Sequence, residues 1–202
     1  MKKLCIDLCA GLKGFSQAFE ESNDWEVVTI EINKKQKPSI CGDVRYLPLR
    51  KDIKPDCLLA SPPCQRFSIA CPEWPKIGIK KAMELVGAVF EAVAWLNPKY
   101  WLVENPAGRL RWFLGTPKQT IRYCDYDFNY KTIKKTDFWG NIPLPMVKRI
   151  RDLKVGHYEK GWFKRGFVYD LPRDRAKRSK IPKGVSMSVL EGIKIMEKQK
   201  DE

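Results

Sequence analysis

Histidine is almost missing. The 202-residue chain carries one, His157, which argues against an acid–base mechanism built on imidazole and against most metal sites. Seven cysteines lie scattered at 5, 9, 41, 57, 64, 71 and 124 with no Cys-x-x-Cys pair. That odd count signals neither a disulfide framework nor a zinc site, and reduced, intracellular thiols fit it best. No apolar run approaches membrane-spanning length, and no leader pattern precedes Leu4, so a soluble cytoplasmic protein is expected. There is no internal repeat, no Gly-x-Gly-x-x-Gly and no Walker loop. Acids are scarce too: 24 Asp and Glu face 38 Lys and Arg, a formal net charge of +14. A polyanion, most simply nucleic acid, is the partner such a balance implies.

What is present reads as alternating strands and helices. Lys3 to Leu8, Trp25 to Glu31, Ile40 to Asp43, Cys57 to Ala60 and Tyr100 to Glu104 are the expected strands. A helix is expected after Gly14, with Phe15, Ala18 and Phe19 on one face. A second is expected over Met83 to Trp95, where Leu85, Val86, Val89 and Val93 recur at helical spacing. Alternation of this kind implies parallel βαβ units, with the strand ends lining one edge of the sheet. Beyond Gly108 the pattern weakens. Ile121 to Tyr126 and Thr136 to Trp139 are candidate strands, and Ser186 to Glu197 a closing helix.

Chemistry collects at those strand ends. Ser61-Pro62-Pro63-Cys64-Gln65 follows the apolar run Cys57 to Ala60, and its two prolines stop that strand because neither can donate to a ladder. Cys64 therefore sits on a stiff turn where a nucleophile belongs, although a small buried thiol would fit the same stretch. The turn Gly11-Leu12-Lys13-Gly14 would let backbone amides approach a cofactor. Glu31 ends the second strand, where an acid accepts from a ribose diol, and Asp43 ends the third, where a carboxylate accepts from a purine amine. In this order they read as an adenosine pocket. Glu104, at the end of the fifth strand, could donate to or accept from a ring nitrogen of a bound base.

These blocks together resemble the cytosine-5 methyltransferases. Asp7-Leu8-Cys9-Ala10-Gly11-Leu12-Lys13-Gly14-Phe15 is similar to that family's first cofactor motif, D-x-F-x-G-x-G-G-F. Glu31 matches its ribose-binding acid, and Gly42-Asp43-Val44 its adenine-contacting block. Ser61 to Gln65 with Phe67-Ser68 matches the catalytic Pro-Cys-Gln loop, and Glu104-Asn105-Pro106 resembles the Glu-Asn-Val block. The resemblance covers roughly residues 3 to 110. It implies a Rossmann-like α/β fold with a mostly parallel sheet, helices on both faces and a small basic C-terminal lobe. It implies S-adenosyl-L-methionine as cofactor, contacted by Asp7, Cys9, Ala10, Gly11, Leu12, Gly14, Glu31, Ile32, Asp43, Val44 and Pro63, with no metal. It also implies that Cys64 adds to C6 of a flipped cytosine while Glu104 holds the N3 and N4 edge.

The chain departs from the family in places. Cys9 stands where most members carry an aromatic, and Lys13 replaces a glycine. The family's Gln-x-Arg-x-Arg block matches Gln119-Thr120-Ile121-Arg122 by residues but Asp127-Phe128-Asn129 and Lys134-Lys135-Thr136 by position. The second version, with Trp139-Gly140-Asn141 after it, resembles small phage-type members and puts Lys134 in the catalytic role of the first arginine. Ile181-Pro182 and Gly184-Val185-Ser186 are the remnant of the closing block. Three regions follow: a catalytic and cofactor-binding domain over 1–145, a reduced basic nucleic-acid-contacting region over 146–180, and a C-terminal helix over 181–202 returning to the first. The middle region is basic and aromatic (Lys148, Arg149, Arg151, Tyr158, Lys160, Trp162, Lys164, Arg165, Arg173) and so short that weak or short sequence specificity is expected. Ser68 to Ile79, with Trp74, is expected to close over the base. The substrate implied is DNA, duplex in form, with a partner subunit or a second copy as a possible source of further contacts. A cytosine-5 RNA methyltransferase and a non-catalytic nucleic-acid-binding descendant are the alternatives; retention of both Cys64 and Glu104 argues against the latter.

Overall fold

The computed structural model describes residues 1–50, 52–69, 78–127, 134–145 and 179–201. The basic region over 146–178 and the segment 70–77, with Trp74, lie outside the described residues. A seven-stranded sheet organises the rest, in the order β3-β2-β1-β4-β5-β7-β6. Its strands are β1 (Lys3–Leu8), β2 (Trp25–Glu31), β3 (Ile40–Cys41), β4 (Cys57–Ala60), β5 (Tyr100–Pro106), β6 (Gln119–Arg122) and β7 (Lys135–Gly140). β1 to β5 pair in parallel, and β7 runs antiparallel between β5 and β6. Chain order reverses direction between β1 and β4, which is where an open α/β sheet leaves a crevice at its strand ends.

The central strands are short apolar runs because both faces are covered. On one face Cys5, Cys57, Leu59, Tyr100 and Leu102 pack with Phe15 and Phe19 and with Val185, Val189 and Ile193 of the last helix. On the other, Ile6, Leu8, Leu58, Ala60 and Val103 pack under Ala88, Val89, Ala92 and Leu96. Those four belong to α2 (Ile79–Leu96), whose buried residues recur every three or four positions. Asn97, left-handed at φ 47°, ends it and Pro98 follows. No helix among the described residues is long and apolar enough to cross a membrane.

Several boundaries differ from the sequence reading, each for a local reason. The helix after Gly14 is a single turn, α1 (Gln17–Glu20), because Gly11 and Lys13 are both left-handed, at φ 50° and 57°, and coil the chain first. β3 stops at Cys41: Asp43 instead accepts the Arg45 amide at 2.9 Å and starts a short 3₁₀ turn, Val44–Tyr46. The strand expected over Ile121 to Tyr126 lies earlier, at Gln119–Arg122. The chain turns at Tyr123–Asp125, where Arg122 pairs with Asp125 at 2.7 Å. A further short helix, α3 (Arg111–Leu114), follows β5.

The closing helix starts early, as α4 (Lys183–Asp201), and docks through glycines. A β-carbon on Gly184 would overlap the Tyr126 carbonyl, and one on Gly192 the Pro143 carbonyl. Ser186 Oγ donates to the Phe15 carbonyl at 2.6 Å and accepts the Ala18 amide at 2.9 Å, so α4 satisfies backbone groups of α1. Gly184→Ala is expected to destabilise the fold by about 2 kcal/mol, since backbone rather than a flexible side chain must give way. A thermal melt that matches the unsubstituted protein would refute this packing.

Candidate active site

Parallel strands point their carboxyl ends at one edge of the sheet, and that edge carries nearly every group singled out in the sequence. The loop after β1 brings Cys9, Ala10, Gly11 and Leu12; β2 ends in Glu31; Asp43 follows β3; Cys64 follows β4; Glu104 lies near the end of β5. β7 is antiparallel, so its beginning lies at the same edge and delivers Lys134 there. β6 points the same way as β5 and delivers Tyr123 just past its end.

The acceptors at the β1–β2 side suit a nucleoside. Glu31 accepts the Gly11 amide on Oε2 at 3.0 Å and the Asn33 amide on Oε1 at 2.9 Å, leaving a further lone pair on each oxygen. Beside it Ile32 is 66% exposed, a bare apolar surface for a ring. Asp43 is clamped: Arg45 donates Nε to Oδ1 at 3.0 Å and Nη2 to Oδ2 at 2.6 Å. These bonds hold its carboxyl below the usual carboxylate range. Pro63 is half-buried on the turn before Cys64, whereas the Val44 side chain points into the core. Gly14 also faces inward, where a β-carbon would meet the Ile181 backbone. Lys13, standing where the resembled motif has glycine, is left-handed at a cost of about 1 kcal/mol.

Asp7 lies under this loop, fully buried, and accepts the Ser16 hydroxyl on Oδ2 at 2.7 Å. Its other oxygen has no partner among the described residues. Burial, against the Ser16 bond, pushes its carboxyl up to about 7, and the Glu20 and Glu31 charges add to the rise. Burial likewise pushes the Cys9 thiol up to about 12.

The β4–β5 side carries Cys64 and Glu104. Asn105 Nδ2 donates to the Pro62 carbonyl at 2.9 Å, tying the end of β5 to the turn that holds Cys64. Beyond the thiol, the Phe67 and Ser68 amides both donate to the Cys64 carbonyl at 2.9 Å. Arg109 then fixes the next stretch through its amide to the Phe67 carbonyl and its Nη1 to the Ser68 carbonyl, both at 2.8 Å. Cys64 and Glu104 are thus held by the same backbone frame. Glu104 is 4% exposed and accepts the Tyr123 hydroxyl on Oε1 at 2.9 Å. Burial raises its carboxyl above the usual range, with the Lys134 charge and the Tyr123 bond pulling it back. Burial and the Glu104 charge raise the Cys64 thiol, and Lys134 again opposes. Lys134 Nζ sits 4.6 Å from the Tyr123 ring centroid.

Among the described residues the Lys134 charge bears on both Cys64 and Glu104, whereas Arg122 is paired with Asp125. Tyr123 and Arg45 carried no signal in the sequence. Tyr123 comes to Glu104 only through the β6–β7 pairing, and Arg45 reaches Asp43 by a local turn. No group of three potential metal ligands occurs among the described residues.

Comparison with known proteins gives these groups a context. A family model described as C-5 cytosine-specific DNA methylase matches residues 4–139. A protein of Frog virus 3 (isolate Goorha), described as a "Probable DNA (cytosine-5)-methyltransferase", is 30% identical over 154 residues, 68% of this chain and 70% of its own length. The type II methyltransferase M.DsaV of Dactylococcopsis salina is 30% identical over 185 residues, 83% of this chain but 49% of that protein. A crystal structure described as that of a "putative DNA modification methyltransferase" encoded within a prophage of E. coli superposes with a TM-score of 0.50 at 19% identity. It covers 69% of this chain and 46% of that one, and it speaks for the fold alone. The chain spans about half the length of the latter two.

The environment of Asp7 makes a prediction. Its folded value, about 7, lies above its ordinary 3.8. The stability it contributes is therefore full below the ordinary value and is lost as pH rises through the folded one. Asp7→Asn keeps an acceptor for Ser16 without the charge. Its stability should gain on that of the unsubstituted protein from pH 5 to pH 8, by an upper bound of roughly 3 kcal/mol. A difference that is flat with pH would show that the buried carboxyl does not titrate.

Proposed function

The chain belongs to the C-5 cytosine-specific DNA methylase family, and on that premise we propose that it transfers a methyl group from S-adenosyl-L-methionine to C5 of cytosine in duplex DNA through a covalent adduct at Cys64. The observation that carries this reading is the joining of Cys64 and Glu104 by one backbone frame at the sheet edge.

The residues at the β1–β2 side fit the cofactor. Glu31 has lone pairs to spare for a ribose diol, Ile32 offers an apolar surface to a ring, and Asp43 would share its carboxylate between Arg45 and an adenine amine. The loop Cys9, Ala10, Gly11 and Leu12 and the turn at Pro63 border the same crevice, with Asp7, Gly14 and Val44 beneath as supports. When bound, the cofactor supplies an electrophilic methyl group on a sulfonium.

The chain's own groups do the rest. The Cys64 sulfur adds to C6 of a cytosine turned out of the duplex. Glu104 donates its proton to N3 as electron density moves into the ring. A raised carboxyl suits that task, because it holds its proton to higher pH than an exposed acid. It also assists the thiol. After burial, the Glu104 charge is what raises Cys64, and a protonated Glu104 removes it. Lys134 favours the thiolate from the other side. After methylation the C5 proton leaves to solvent, the C6–S bond breaks to regenerate the thiolate, and N3 returns its proton to Glu104. Net charge and the basic residues over 146–180 support a nucleic-acid partner, with a second subunit as a further source of contacts.

The test is transfer of labelled methyl to duplex DNA, single-stranded DNA and transfer RNA. Label should appear on duplex DNA. Cys64→Ala should lower it on the order of a thousandfold or more, and Glu104→Gln about a hundredfold. Label confined to RNA, or full activity in Cys64→Ala, would overturn the proposal.

A further inference from the structure

Tyr123 is assigned no role by the family resemblance, yet it touches both charged neighbours of the thiol. It is fully buried, and its ring and hydroxyl do separate things. The hydroxyl donates to Glu104 Oε1 at 2.9 Å. The ring takes the Lys134 ammonium at 4.6 Å from its centroid, within reach of a cation–π interaction. Its backbone amide donates to the Lys134 carbonyl at 3.1 Å, which fixes the start of β7. One residue thereby sets where the acid points and where the cation stands. We propose that Tyr123 is a positioning residue for the reaction: its hydroxyl orients the Glu104 carboxyl toward the base, and its ring seats the Lys134 ammonium against the Glu104–Cys64 pair. The inference rests on the methyltransfer reading and deepens it.

The geometry makes the two halves separable. Around Glu104 stand Lys134 ahead of β7, Asp137 on β7, Cys64 on the turn after β4 and Tyr123 after β6. Asp137 is already engaged by Arg111 and by the Thr120 hydroxyl, the latter at 2.7 Å. Ser61, on the turn after β4, also faces Glu104 and is unchanged in every variant, so the partners varied are Tyr123 and Lys134. A hydroxyl donating to a carboxylate favours its charged form, so removing that donor lets Glu104 keep its proton to higher pH. Removing the ammonium raises both Glu104 and Cys64.

The experiment measures single-turnover methyl transfer to duplex DNA across pH for the wild type, Tyr123→Phe, Lys134→Met and Lys134→Arg. Thermal melts and S-adenosylhomocysteine titrations are run in parallel. Tyr123→Phe keeps the ring, so it should fold and bind normally. It should lower the transfer rate about tenfold with little change in KM for DNA, and move the limb that reports Glu104 to higher pH. Lys134→Met should move both limbs upward, and Lys134→Arg should restore most of the rate. A Tyr123→Phe profile superimposable on the wild type, or a loss carried wholly by KM or by the melting temperature, overturns the assignment while leaving the reaction intact. No transfer to any DNA by the wild type overturns the reaction reading and this inference with it.

Discussion

Ala60 stands opposite Val103, and the register of that pairing decides the site. One residue beyond it on each strand come Ser61 and Glu104, and then the ladder has to stop. Pro62 and Pro63 have no amide to offer. The Asn105 side chain takes over and donates to the Pro62 carbonyl, so a side chain completes what the backbone cannot. A slip of one residue in this pairing would turn Glu104 to the opposite face of the sheet and strand the thiol without its acid. Burial of β4 on both faces, with every residue at 0% exposure, is what forbids the slip.

The centre of the sheet was legible in the sequence because double-sided burial writes itself as a continuous apolar run. Cys57 to Ala60 and Lys3 to Leu8 were readable for that reason. The margins were not. β3 has two residues, too few for any periodicity, and the acid beyond it belongs to a turn. β6 is short and largely exposed, so its limits depend on pairing with β7 rather than on composition. The same holds for the site. Cys64, Glu104 and Glu31 sit next to turn signals and strand ends. Lys134 was named through a family pattern, and Tyr123 not at all, because a hydrogen bond between residues 19 positions apart leaves no spacing rule behind. The helix after Gly14 was over-read. Phe15, Ala18 and Phe19 are buried as helical spacing implies, but left-handed Gly11 and Lys13 delay the first turn.

The electrostatics of the site has a single logic. Cys64 and Glu104 are both pushed toward their protonated forms by the same enclosure that excludes water from them. Left alone, two such groups would oppose each other's ionisation. One ammonium, held over an aromatic ring, counters both. The acidic patch around Asp7, Glu31 and Asp43 is kept apart on the other side of the crevice, where Arg45 neutralises part of it. A chain with a net charge of +14 therefore presents a crevice edge that is locally acidic, suited to a cationic small molecule beside a polyanionic one.

Behind the loop after β1, the Phe15 carbonyl and the Ala18 amide of α1 are both satisfied by Ser186, 168 residues further along from Ala18. During vectorial synthesis the loop emerges from the ribosome long before that serine exists. At about 5–20 residues per second the delay is on the order of ten seconds. Until then α1 has neither its polar partners nor the apolar cover of α4. The loop after β1 is thus among the first segments made and among the last to acquire its final surroundings.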